Sequence, residues 1–456
     1  MRKVQSLPKL LAILAAMTCA TNVCVYAAEE NEIRVSVKLE QLPTIRVSGP
    51  IALPRGSSGP ALLFTELSNG APRRIRASQG DRELAVEMKS ASKPGGRESF
   101  ACFLPAGTSG AVQFEYDVDP TFYPPGSEQE TQADARARVT TELGVLRATT
   151  ILPQALLRNA TRLRFDLPDG WTAVTPWPER DGTFLLEDQS KSAAPEYIGI
   201  GPFVVTGHTL DGITYRFGVC GANDRIDAPA LLRIVTKARD VAGRAPGVPG
   251  DVFSVVVVPR DFVRGGSAGR RSAVQPPNPV VLAHEMFHWW DHSRLTRQEA
   301  NWFHEGFTEY YGIRLARDAG LIDEQFEQAC FADLNAEMRY LETDSARSLA
   351  DASRAAPKDP KAARIVYAKG ALLALLMERR LEPSGRSLDE IMSHVLDLGR
   401  SGLGNEELRQ HFHDVYKGAL DTEFDRYVLE TNALPDLGLP SATGATGAAR
   451  YLPNNK

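Results

Sequence analysis

A chain of 456 residues, 43% hydrophobic and 24% charged, has the composition of an ordinary globular protein and the length for two or three domains with a sizeable core. A formal charge of −5 leaves no basic footprint, so DNA and RNA are set aside as partners.

The first stretch reads as a leader. Arg2, Lys3 and Lys9 precede an apolar run from Leu10 to Ala16, and small residues end at Val25-Tyr26-Ala27-Ala28. A basic start, a short apolar stretch and a small-residue exit make a secretory signal peptide over residues 1–27, with cleavage near Ala27. The run is shorter than the ~20 apolar residues a bilayer span needs. Cleavage removes three positive charges and takes the net charge from −5 to −8. The expectation is a periplasmic or secreted protein with no stable membrane insertion after processing. Cys19 and Cys24 leave with the leader. Cys102, Cys220 and Cys330 remain, enough for one disulfide at most, and buried apolar roles suit them best.

From Glu32 to Cys220 the pattern has period two. Ile33, Val35, Val37 and Leu39 alternate with polar neighbours, as do Val112, Phe114, Tyr116 and Val118, and Leu163, Phe165 and Leu167. Turn signals such as Pro168-Asp169-Gly170 separate the runs. This predicts half-buried antiparallel strands in a β-sandwich-like domain over 28–206. Near Ala228 the period becomes helical, with Leu231, Ile234, Val235, Ala238 and Val241 on one face. The run Val252 to Val258 reads as a buried strand, and a Gly/Pro-rich loop spans Asp261 to Pro279. Helices follow almost to the end, with Ser387 and Glu390 as a capping box and Asn405 as an N-cap. The last residues, 435–456, read as a flexible tail.

The chemistry concentrates in Ala283-His284-Glu285-Met286-Phe287-His288-Trp289-Trp290. Histidines four apart lie about one helical turn from each other, so both imidazoles can grip one ion while Glu285 sits over a bound water. Five positions alone are only moderately specific; an amphipathic helix with two incidental histidines matches them too. A catalytic zinc wants three protein ligands and an open position. His292 lies a further turn along from His288, and the position six after His288 is Arg294. Glu305 is 17 positions after His288, far enough for the helix to end and a second one to run back with a carboxylate. His292 stays open as the alternative third ligand. Glu309, one turn after Glu305, is a candidate to orient a ligand imidazole, or else part of a solvated helix face.

Three ordered phrases then carry a resemblance: His284-Glu285-x-x-His288-x-Trp290-Asp291, Trp302-Phe303-x-Glu305-Gly306-Phe307-Thr308-x-Tyr310-Tyr311, and Tyr367-Ala368-Lys369-Gly370-Ala371. The sequence resembles gluzincin metallopeptidases, most closely the glycyl aminopeptidase family and more distantly the aminopeptidase N family. The resemblance covers roughly Gly207 to Glu430. It implies an α+β multidomain protein. An N-terminal antiparallel β domain precedes a thermolysin-like zinc peptidase domain over 207–434 whose C-terminal part is helical. It implies one Zn2+ held by His284, His288 and Glu305, with Glu285 as general base and Tyr367 stabilising the oxyanion. Peptides or proteins are the implied substrates. Trp289, Trp290, Tyr310 and Tyr311 are expected in the core.

These families carry a Gly-rich phrase with a Glu that binds the substrate's amino group. The matching segment here, Arg264-Gly265-Gly266-Ser267-Ala268-Gly269-Arg270-Arg271-Ser272, keeps Gly265 and Gly266 as candidate substrate-binding residues but has no carboxylate. Exo and endo modes are both open, and Arg270 and Arg271 would repel an ammonium. Members often add a C-terminal PDZ module, which is expected to be missing. The rival readings are a catalytically silent gluzincin-fold binding protein and a zinc hydrolase of non-peptide amides or esters.

Overall fold

A computed structural model describes residues 32–39, 43–53, 55, 61–65, 72–91, 99–119, 138–157, 161–186, 196–221, 226–263, 265–291, 295–342, 347–399 and 402–441. The expected leader, His292, Arg264, Arg294 and residues 442–456 lie outside these. The chain divides into two compact units that meet in sequence at Pro202 and Phe203.

The first unit is built of strands, as the period-two pattern predicts. Its largest sheet runs, in spatial order, 179–180, 183–186, 161–166, 32–38, 44–53, 110–118, 73–79 and 82–84. Among the described residues its pairings are antiparallel except one: Glu32–Lys38 lies parallel to Thr161–Asp166, a pair that alternation cannot orient because both directions share the same period. Smaller sheets of four and three strands complete the unit. Its core includes Ile33, Val35, Val112, Phe114, Tyr116 and Trp177. Buried Asp117 is neutralised by Arg46, whose Nε donates to it at 2.8 Å.

The second unit opens with a mixed sheet. In chain order its strands are β1 (Val204–Leu210), β2 (Ile213–Val219), β3 (Val252–Val257), β4 (Ser267–Ala268) and β5 (Ser272–Gln275). In space they run β1-β2-β3-β5-β4. β3 lies between two parallel neighbours and is buried throughout, which is why it reads as an unbroken apolar run. Helix α1 (Ala228–Ala242) links β2 to β3; the Asp227 side chain accepts the Ala230 N–H at its start, and Gly243 at φ +68° ends it. All five residues predicted on its apolar face are buried.

Helix α2 (Pro279–Phe287) carries the first motif. Asn278 caps it by accepting from Val280 and Val281, with Pro279 at the first position. The chain turns after His288, so the helix does not continue toward His292. A π-helical turn, Trp302–Phe307, runs into α3 (Thr308–Asp318). Next come α4 (Glu324–Glu342), α5 (Leu349–Ala355), α6 (Pro360–Leu381), α7 (Asp389–Asp397) and α8 (Asn405–Tyr416). Among the described residues, no helix is long and apolar enough to cross a membrane.

Three local expectations change. Asn405 is the first helical residue rather than the cap; its side chain instead accepts from Trp302 Nε1 and donates to the Glu299 carbonyl. Glu390 accepts from the Ser387 N–H, half of the expected box, and α7 starts one residue later without a side-chain cap. In the segment read as a tail, Leu437 is buried in the core and its carbonyl accepts from Arg379. Lys369 on α6 is fully buried, and its ammonium donates to the carbonyls of Arg347 at 3.1 Å and Asn432 at 2.8 Å. Trp289, Trp290, Tyr310 and Tyr311 are core residues. Cys102 and Cys330 are buried free thiols.

Candidate active site

The two motif helices pack closely because glycine leaves room. A Cβ on Gly312 of α3 would stand 3.0 Å from the His284 Cβ and 3.1 Å from the Val280 carbonyl. Gly306 in the π-helical turn meets Gly370 of α6 the same way, with a Cβ on Gly370 only 2.8 Å from the Gly306 Cα. These contacts bring α2, the π turn with α3, and α6 together, and every described candidate residue lies on them, at the end of α2 or just before β4.

His284 and His288 face each other with Nε2 atoms 3.2 Å apart, and Glu305 Oε2 lies 3.6 Å from both. His284 also stacks on Tyr367, with ring centroids 5.9 Å apart. Glu309 places an oxygen 2.9 Å from His284 Nδ1, so its carboxylate is buried against the ligand ring rather than solvated. Asp291 Oδ1 lies 2.8 Å from His288 Nδ1. Each ring therefore has a carboxylate behind it and its Nε2 turned to the shared centre.

The donor set fits a zinc ion. Tetrahedral zinc with bonds of about 2.0–2.2 Å sets its ligand atoms about 3.3–3.6 Å apart, close to the triangle found here. The electrostatics agree. Burial opposes charge on His284, but Glu305 and Glu309 outweigh it and lift the pKa to about 9. His288 is raised too, by Asp291 and Glu305 against its burial. Burial would raise Glu305, yet the facing histidines hold it well below the carboxylate range. A pocket that draws protons onto its histidines this way is one that attracts a cation.

Glu285 is buried, and burial raises its pKa, with Glu305 and Glu309 adding to the rise and the two histidines opposing it. Gly266 lies directly against it: a Cβ there would stand 2.6 Å from the Glu285 carboxyl carbon. Gly265 has open space around its missing side chain. Gly266 immediately precedes β4, which lies at the end of the sheet's strand order. Burial pushes the Tyr367 hydroxyl up, and Glu305, its side-chain partner, pushes it further, so it stays a donor at neutral pH. Arg271 does not charge this region as its sequence position suggests. It is buried and paired with Asp251 at 3.1 Å, while Arg270 is exposed.

Sequence reasoning missed the roles of Asp291, His304 and Thr308, which meet behind His288. It also read the Glu305 segment as a regular helix. The π turn has an extra residue, a feature that recurs at functional sites and leaves no mark in hydrophobic period.

Residues 279–373 match the family model of the M61 glycyl aminopeptidases. The matched stretch holds α2, the π turn, α3 and the Tyr367 end of α6, all the elements that bear the three phrases. Among solved structures, the chain is similar to an aminopeptidase N family protein from Idiomarina loihiensis at 17% identity, covering 89% of this chain and 77% of that one, with a TM-score of 0.67. An M1 zinc metallopeptidase mutant from Deinococcus radiodurans, bound to a Tyr-Ser-Ala substrate, is 16% identical over 91% of this chain and 95% of that one, with a TM-score of 0.55. Native yeast LTA4 hydrolase is 13% identical over 91% and 69%, with a TM-score of 0.50. A comparison with curated proteins gave no significant match. The α+β multidomain fold is thus like that of these aminopeptidase N family structures, and residues 279–373 resemble an aminopeptidase domain.

Proposed function

We propose that the chain is an exported zinc peptidase that hydrolyses peptide bonds with Glu285 as general base. The observation that carries this reading is the donor triangle of His284, His288 and Glu305 beside buried Glu285. These three residues would hold one zinc per chain. When bound, zinc lowers the pKa of its water to about 7 and polarises the scissile carbonyl. Glu285 takes a proton from the attacking water and passes it to the leaving amine; its burial and raised pKa suit a group that must both accept and return a proton. Tyr367 donates a hydrogen bond to the developing oxyanion. Gly265 and Gly266 let substrate backbone approach along β4. Export rests on the leader-like residues 1–27 alone. No carboxylate lies between Gly265 and Ser272 to bind a substrate ammonium, so exo and endo modes both stand and the substrate test below decides between them.

The test combines metal analysis of the purified mature chain with turnover of peptides bearing free or blocked N-termini. One zinc per chain and cleavage of blocked peptides gives an endopeptidase; cleavage of free-amine peptides alone gives an aminopeptidase anchored elsewhere. Glu285→Gln should lose turnover by about 10²–10⁴-fold while keeping its zinc. A wild-type protein that holds zinc but cleaves neither peptide class would move the assignment to a binding protein or a non-peptide hydrolase. Failure to take up metal would end it.

A further inference from the structure

Behind the proposed ligands lies a second cluster that the peptidase reading does not use. Asp291 is 1% exposed and spends both oxygens on neighbours. Oδ1 is 2.8 Å from His288 Nδ1. Oδ2 is 2.7 Å from the Thr308 hydroxyl and 3.3 Å from His304 Nδ1. The Thr308 hydroxyl also reaches the His304 carbonyl at 2.5 Å, which fixes the backbone one residue before Glu305. The other nitrogen of the buried His304 ring, Nε2, lies 3.7 Å from Glu305 Oε1. The two Glu305 oxygens thus have different neighbours: Oε2 is the one 3.6 Å from His284 and His288, and Oε1 the one beside His304.

The side chains therefore close a ring: His288, Asp291, His304, Glu305, and back to His288 across the metal position. Two of its members are proposed ligands and two are not. We propose that Asp291 and His304 form a positioning pair that locks the orientation of His288 and restricts Glu305 to one-oxygen coordination. A carboxylate free to bind through both oxygens would fill the position that water and substrate need. The His304 ring, 3.7 Å from Oε1, occupies the side from which that oxygen would swing toward the centre, and this leaves the fourth position open. Asp291 supplies the same service to His288 by fixing which ring nitrogen faces the centre. The ring also explains why a histidine is buried next to a ligand without itself belonging to the triangle.

This inference rests on the zinc reading above, and the experiment separates the two. Zinc affinity of the full mature chain is measured by competition with a chromophoric chelator, and the visible spectrum is recorded after cobalt replaces zinc. Variants are Asp291→Asn, His304→Ala, His304→Gln and the double variant Asp291→Asn/His304→Ala. Asp291→Asn should weaken zinc binding by about 10–100-fold. His304→Ala should weaken it by about tenfold and dim the cobalt absorption, since a two-oxygen Glu305 raises the coordination number; His304→Gln, which keeps a polar side chain of similar reach beside Oε1, should restore much of the intensity. The double variant should lose little more than Asp291→Asn alone, because members of one network are not additive. If Asp291→Asn fails to fold, the two His304 variants carry the test. Wild-type affinity and an unchanged cobalt spectrum in the variants would overturn the proposal while leaving the zinc site standing. Two zinc ions per wild-type chain would also overturn it, by making His288, Asp291 and His304 ligands of a second ion. A wild-type chain that binds no zinc would remove both readings.

Discussion

Gly266 shows how narrow the tolerance is at single residues. A methyl group there collides with the Glu285 carboxyl group, so Gly266→Ala must move the proposed base. A shift of about 1 Å can cost on the order of 10²-fold in rate. Peptide turnover should drop by about that factor with zinc content and secondary structure unchanged, as kinetics beside metal analysis and circular dichroism will show. The buried thiols make a second prediction. Burial pushes Cys102 up to about 12 and raises Cys330 as well. The unfolded chain ionises its thiols near pH ~8.5 while the folded one does not. Stability is therefore whole below that pH and falls as pH rises through the window toward 12, by roughly 1.4 kcal/mol per pH unit for each ionised thiol. Alkylation at pH 8.5 read by mass spectrometry should leave Cys102 and Cys330 unmodified in native protein and modify both in urea. At this scale the sequence was most legible. Histidines four apart and a carboxylate in a recognisable phrase name themselves. Asp291 and His304 did not, because they are 13 positions apart and meet only through the turn after His288.

At the level of elements, the contact between the π-helical turn and α6 carries Glu305 and Tyr367 to the same place. Its closest point is glycine against glycine. Gly370→Ala would press a methyl group on the Gly306 Cα and sit 3.0 Å from the Trp302 carbonyl. Overpacking of this kind typically costs about 1–3 kcal/mol. Urea denaturation should register that loss, and zinc affinity should weaken with it, since Glu305 adjoins the contact. A stable Gly370→Ala protein with unchanged zinc binding would mean the helices separate without disturbing Glu305. Strands and helices themselves were largely readable from period, as α1 and β3 show residue by residue. Caps and starts were less so. Asn405 has cap chemistry, but Trp302, 103 positions away, competes for its side chain and wins. Such tertiary partners leave no local trace. The π turn is equally silent, because an extra residue per turn arises from packing.

Across the molecule, the two units have separate apolar cores, and the proposed metal belongs to the second. A ligand that binds only the folded state stabilises it by about 2.7 kcal/mol at a hundred times its dissociation constant. Calorimetry with and without a strong chelator should therefore lower the melting transition of the second unit and leave that of the first in place. A common downward shift of one merged transition would show that the units unfold together. The order of a β domain before a mixed and then helical domain was legible from the change of period near Ala228. Strand order and the parallel pair of the first unit were not, since partners far apart in sequence set them. The buried Lys369 ammonium has a practical consequence for anyone shortening this chain. Lys369 sits two residues along α6 from Tyr367, and its acceptor at Asn432 belongs to the last described stretch. Trimming ahead of Asn432 would remove one of the carbonyls that hold this buried cation, which sits on the helix of the proposed oxyanion donor, and leave that of Arg347, so those residues are best treated as a stitch in the fabric of the unit, and tags or fusions belong beyond Leu439.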